Sequence, residues 1–78
     1  MDMRELVGCN FARLRRERGL SQEQVSLRSG FSQQYISGLE RGRRNPTIVS
    51  LFELSQALEV SPIDLLEHSS PKDSQAAG

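Results

Sequence analysis

Seventy-eight residues, 36% of them hydrophobic, with no tryptophan and only four aromatics, describe one small domain with a core of aliphatic side chains. A single core of that size seldom supplies more than about 3–5 kcal/mol, so self-association is an expected supplement. No apolar run approaches the roughly 18–20 residues of a membrane span. The opening "MDMRE" mixes charges and lacks a signal-peptide pattern, and Cys9 stands alone, which rules out an internal disulfide and points to a reducing cytoplasm.

The formal net charge of zero conceals a segregation. Residues 1–44 hold nine arginines against five acids, a net of +4, whereas residues 45–78 hold one lysine against five acids, a net of −4. A basic working face and an acidic back are expected. Nine of the ten cations are arginine, whose planar fork suits phosphate recognition better than lysine does.

Five short helices follow from period and caps. The first is predicted from Met3 to Arg18, with Met3, Val7, Phe11 and Leu14 on one inward face and Gly19 as its stop. Ser21 and Gln24 have the spacing of a capping box, opening a second helix from Gln22 to Ser29 around an inward Val25. Gly30 breaks that helix, and Ser32 caps a third from Gln33 to Arg41 that ends at Gly42. On the third helix Ile36, Leu39 and Glu40 are expected to face inward, while Gln33, Gln34, Ser37 and Arg41 face outward. Thr47 caps a fourth helix with an inner stripe of Ile48, Leu51, Leu54, Ser55 and Leu58. Ser61 and Pro62 open a fifth, ending near Glu67. The expected class is therefore all-α, a five-helix bundle over residues 1–67, followed by a disordered polar tail over 68–78, "HSSPKDSQAAG".

The stretch "GFSQQYISGLERGRRNP", residues 30 to 46, concentrates hydrogen-bonding and cationic capacity around a single acid, Glu40. Two short helices joined by "SGFS" form the frame of a helix-turn-helix, whose second helix enters the DNA major groove. Gln33 and Gln34 occupy the first turn of that helix, where glutamine can pair bidentately with adenine, and Ser37 lies one turn later. Gly38 offers no side chain there, which allows close approach and removes a reader. Phosphates call for cations and exposed amides. Gln22, at the start of helix two, and the cluster of Arg41, Arg43 and Arg44 meet that need, and Ser32 joins the set. Tyr35 has two readings that the sequence leaves open: half-buried packing against helix four, or donation of its hydroxyl to a phosphate.

The segment "NFARLRRERGLSQEQVSLRSGFSQQYISGLERGRRNPTIVSLFELSQALEVSPIDLL" resembles the XRE-type helix-turn-helix family of phage repressors, Cro proteins, restriction-modification controllers and some antitoxins. Its "R-x-x-x-G-L-S-Q", "Y-I-S-x-L-E-R-G", "N-P-T" and "L-x-V-S" elements carry the match. The resemblance implies a phage-repressor-like bundle that binds operator DNA, usually as a symmetric dimer. It also implies a phosphate contact for Gln22, base reading for Gln33 and Gln34, and an ion pair between Arg15 and Glu40 across helices one and three. Three positions depart from the pattern: Gly38 where several repressors keep a reading side chain, Glu59 where glycine or asparagine is common, and the apolar Leu27 on a usually polar face.

Other chemistries find no support. Cys9, expected to be semi-buried, and the distant His68 cannot build a zinc site. No Ser/His/Asp arrangement or glycine-rich phosphate loop exists, so neither an enzyme nor a cofactor nor a small-molecule ligand is expected. Because one module covers only about 600–1,000 Å² of DNA, a homodimer on two half-sites is expected. Phe52, Ile63, Leu65, Leu66 and Glu67 are the candidate dimer surface. The leading expectation is a cytoplasmic, sequence-specific transcriptional regulator on double-stranded DNA, and the competing one is an antitoxin or antiactivator acting on a protein partner.

Overall fold

A computed structural model describes residues 2–68. It contains five helices in that span: α1 (Met3–Glu17), α2 (Gln22–Ser29), α3 (Gln33–Glu40), α4 (Ile48–Leu58) and α5 (Pro62–Leu66). The expected architecture is therefore present. Helices one, three and five each end one residue earlier than predicted, with Arg18, Arg41 and Glu67 as the C-caps. The polar segment expected to be disordered lies, beyond His68, outside the described residues.

Local chemistry sets the helix starts. Ser21 accepts from the Gln24 amide at 3.0 Å while Gln24 Oε1 accepts from the Ser21 amide at 2.7 Å, a reciprocal capping box. Asp2 with Glu5 and Ser61 with Asp64 repeat the device on α1 and α5. Ser32 and Thr47 cap α3 and α4 through their hydroxyl oxygens. At the α2–α3 turn the chain needs a left-handed residue, and Gly30 supplies it at φ +84°. Glu59 takes the equivalent position after α4 at φ +60°, a conformation that disfavours a side chain.

The core draws on every helix: Val7, Phe11 and Leu14 from α1, Val25 from α2, Ile36 and Leu39 from α3, Leu54, Ala57 and Leu58 from α4, and Leu65 from α5. Each large side chain fully buried there stabilises the fold by about 1.5–3 kcal/mol. Two expected core residues lie outside it. Met3 is 54% exposed because it sits in the first turn of α1, before the stripe engages; Leu6, Val7, Asn10, Phe11 and Leu14 form the buried side instead. Ile48, first residue of α4, is 85% exposed for the same reason, and Leu51 is only partly covered. Cys9 is exposed rather than semi-buried, since it falls between the buried Gly8 and Asn10 on the outer side of α1.

Two residues fasten α1 to its neighbours. Gly8 lets α1 cross α3 so closely that a Cβ there would collide with the Leu39 carbonyl oxygen and press on that of Glu40. Asn10, buried, donates its side-chain amide to the carbonyls of Leu65 at 2.9 Å and Glu67 at 2.8 Å. Those carbonyls end a five-residue helix and would otherwise be short of partners. The first contact fixes the height of α3 over the core, and the second ties down α5.

Candidate nucleic-acid interface

The exposed side of α3 is built on that seam. Ile36 and Leu39 bury the inner side of the helix, which turns Gln33 and Gln34 outward into solvent, with Ser37 half-covered one turn on. All three stand as the sequence places them. After α3 the Gly42 amide donates to Leu39 O at 3.0 Å and the Arg43 amide to Gly38 O at 2.9 Å. These two bonds make a Schellman closure, which reverses the chain and returns the arginine segment toward the helix it has just left. The result is a groove of about 320 Å³ lined by Gln34, Ser37, Gly38, Arg41, Arg43 and Arg44. Amide, hydroxyl and guanidinium groups share one concave surface, and no acid lines it.

Arg15 and Glu40 form a bidentate pair, with Arg15 Nε 2.6 Å from Glu40 Oε2 and Nη2 3.1 Å from Oε1. Their side chains are only 13% and 8% exposed, so the charges depend on one another. Arg15 Nη1 also donates to Leu20 O at 2.8 Å, gathering the α1–α2 turn into the same network. Glu40 thus faces inward, and its charge is kept out of the cationic groove.

Gln22, at the start of α2, is partly committed within the protein. Its side-chain amide donates to Glu40 Oε1 at 3.0 Å, so one of its hydrogens belongs to the ion-pair network. What faces solvent at the start of α2 is the remaining amide hydrogen together with the unpaired backbone N–H groups of the first turn. Ser32 spends its oxygen lone pair on the Tyr35 amide at 3.0 Å and keeps a hydroxyl hydrogen to donate.

Tyr35 is half-buried with its ring stacked on Phe31, centroids 4.7 Å apart and planes 19° from parallel. The Arg44 guanidinium lies 5.2 Å from the same ring's centroid, within cation–π range. Burial raises the phenol's pKa above 10.0 and the nearby Arg44 charge opposes that shift, so the hydroxyl stays protonated and can donate. Gly38, which in the sequence allows close approach and removes a reader, is where the Arg44 side chain crosses α3.

The second candidate surface needs a correction. Leu65 is fully buried in the core and cannot belong to an interface, because α5 is so short that one residue of its apolar pair must face α1 and α4. Exposed apolar side chains on α4 and α5 are instead Ile48, Val49, Phe52, Ile63 and Leu66, of which Ile48 and Val49 are not among those expected from sequence. A concavity of about 330 Å³ beside α2 and α4, lined by Arg28, Ser29, Glu53, Gln56 and Ala57, contains none of the outward α3 residues. Among the described residues no cluster of His, Cys, Asp and Glu could hold a metal ion, and no helix is long and apolar enough to cross a membrane.

Two short helices at a glycine turn, the second with a polar outer side flanked by arginines, define a helix-turn-helix DNA-binding protein. Residues 11–65 match the helix-turn-helix family HTH_3, and the chain belongs to that family, one of DNA-binding transcriptional regulators and not of enzymes. It is 71% identical over 66 residues to the uncharacterized HTH-type transcriptional regulator y4dJ of Sinorhizobium fredii, covering 85% of this chain and 86% of that one. With the control protein C.SmaI of Serratia marcescens it shares 37% identity over 75 residues, covering 96% and 89%. Among solved structures, the restriction-modification controller C.AhdI from Aeromonas hydrophila superposes with a TM-score of 0.76 at 37% identity, covering 80% of this chain and 94% of that chain. The controller C.Esp1396I, solved as a tetramer with its natural 35 base-pair operator, gives 0.76 at 35% identity over 83% and 86%.

Proposed function

We propose that this chain is a sequence-specific regulator that binds a pseudo-palindromic operator as a homodimer, with α3 lying in the major groove and residues 1–67 serving as the DNA-binding domain. One observation carries the reading: Gln33 and Gln34 project freely from the first turn of α3, beside a groove whose cationic lining is uninterrupted by acid. Glutamine amides in that position can pair bidentately with adenine, each such pair worth about 1–3 kcal/mol of discrimination. Ser37 reaches the next base edge.

Positioning comes from the flanks. Arg41 and Arg43, both exposed, grip phosphates at the C-terminal end of α3, while the amides at the start of α2, Gln22, Ser32 and the Tyr35 hydroxyl take phosphate oxygens on the other side. The Arg15–Glu40–Gln22 network holds the two sets at a fixed spacing. Dimerisation uses the α4–α5 side through Phe52, Ile63, Leu66 and Glu67, to which Ile48 and Val49 add area. Two modules on half-sites roughly 34–36 Å apart then supply the affinity that one module lacks. The related controller bound to its operator as an oligomer supports this arrangement. The site of action is the cytoplasm, where the DNA is. Leu27, 80% exposed on α2, favours one protein contact in addition, as an antitoxin or antiactivator would make.

Selection of bound duplexes from random sequence tests the reading. A two-fold symmetric consensus with half-sites about one helical turn apart is expected. Recovery of random sequence would contradict it. Arg43→Ala should weaken all duplexes alike and reduce the salt slope by about one unit.

A further inference from the structure

Gly38 is a helical residue whose missing side chain is filled by another residue. A Cβ built on it would lie 3.0 Å from Arg44 Nε, 3.4 Å from its Cγ and 3.7 Å from its Cδ. The Arg44 stem therefore runs directly over the backbone of α3, in the slot where any other residue would raise a methyl group. Two further features hold it there. The Schellman closure through Gly38 O reverses the chain, so that Arg44 approaches the helix from outside. The Tyr35 ring, braced by Phe31, offers a π surface to the guanidinium at 5.2 Å.

We propose that Gly38 is a specificity-determining residue, because its bare backbone seats Arg44 across α3 between Tyr35 and the Gln34–Ser37 surface, where the guanidinium reads a guanine edge instead of clamping a phosphate. This inference rests on α3 being the helix that enters the major groove. Arg44 is exposed, shares the groove with Gln34 and Ser37, and meets no acid there. Its planar fork matches guanine O6 and N7, and the cation–π contact with Tyr35 favours that place for the guanidinium before DNA arrives. Gly38 is thus a positioning residue that acts through Arg44. A Cβ at 38 would force the arginine stem to shift by a few tenths of an ångström and a longer side chain would take its slot, and the displaced atoms belong to a flexible side chain, so the bundle itself would be untouched.

The test compares the wild type, Gly38→Ala, Arg44→Ala and the double variant, titrated against the selected operator and its single base-pair variants. The wild type should discriminate at one G·C pair per half-site by roughly 5- to 100-fold. Arg44→Ala and Gly38→Ala should both flatten the preference at that same pair and leave the preferences at glutamine-read pairs intact. The double variant should be no worse than Arg44→Ala. Gly38→Ala should melt at or above the wild-type temperature, since alanine is the better helix former, which separates mispositioning from misfolding. Equal weakening on every sequence by Arg44→Ala, or full discrimination kept by Gly38→Ala, would overturn the proposal. A wild type with no base preference anywhere would remove the operator reading, and this one with it.

Discussion

The seam between α1 and α3 and the outer side of α4 and α5 are completed to different degrees. At the seam Gly8 brings two backbones together, Arg15 and Glu40 close a bidentate pair with little exposure, and Gln22 and Leu20 O take the remaining hydrogen bonds. On the other side Ile48, Val49, Phe52 and Ile63 keep between half and most of their surface in water. The difference teaches which side is completed within one chain: the contacts that aim α3 are closed internally, so its orientation does not depend on a second molecule. The α4–α5 side keeps its apolar side chains exposed, and it is there that the proposed second copy would dock.

Breaking the seam should have the largest effect. Glu40→Gln preserves shape but leaves the Arg15 cation poorly paired in a mostly buried place, and should cost about 3 kcal/mol. In a domain this small that lowers the thermal midpoint by roughly 10–20 °C. A wild-type melting curve would show that the pair is dispensable. Next comes Gly8→Ala, expected to lose about 1–3 kcal/mol by overpacking, because the obstructing atom is a backbone carbonyl that cannot step aside. Set against Gly38→Ala, where the neighbour is a mobile arginine, the same substitution on two helices should move stability in opposite directions. Chemical denaturation of both variants checks this.

The unfinished side should respond in the opposite manner. Phe52→Asp or Ile63→Asp should weaken self-association at least about tenfold, roughly 1.4 kcal/mol, with little change in monomer stability, because both side chains are already exposed. Sedimentation across a concentration series reads it, and unchanged association would move the interface elsewhere. The smallest effect concerns Glu59, held left-handed at φ +60°. Glu59→Gly should stabilise the domain by about 0.5 kcal/mol, the relieved strain being partly offset by the greater freedom of the unfolded chain. Its 3.9 Å pair with Arg28, exposed on both sides, adds little to lose.

What the sequence made legible divides along the same line. Caps at Ser21, Ser32, Thr47 and Ser61 and the stop at Gly30 are local decisions, written in adjacent residues and present in the structure. The outward placement of Gln33 and Gln34 follows from the helical period, given Ile36 and Leu39 in the core. Met3 and Ile48 share the apolar period of the core yet stand exposed, because periodicity does not say how early in a helix the neighbouring element begins to cover it. Gly8 and Asn10 gave no local sign, since a close crossing and a tertiary amide cap exist only when distant segments meet. The burial of Leu65 is not legible in sequence, because a five-residue helix offers too short a pattern to tell its two sides apart. Arg43 and Arg44 are neighbours in the sequence, and only the chain reversal after Gly42 lays the Arg44 side chain across Gly38.

The claim on which the account depends is that the amides at positions 33 and 34 touch bases. Binding titrations of the Gln33→Ala and Gln34→Ala variants on the selected operator and on scrambled duplex at one salt concentration test it most directly. Each variant should lose about 1–3 kcal/mol on the operator and almost nothing on the scrambled DNA. Equal losses on both, or none on either, would contradict it.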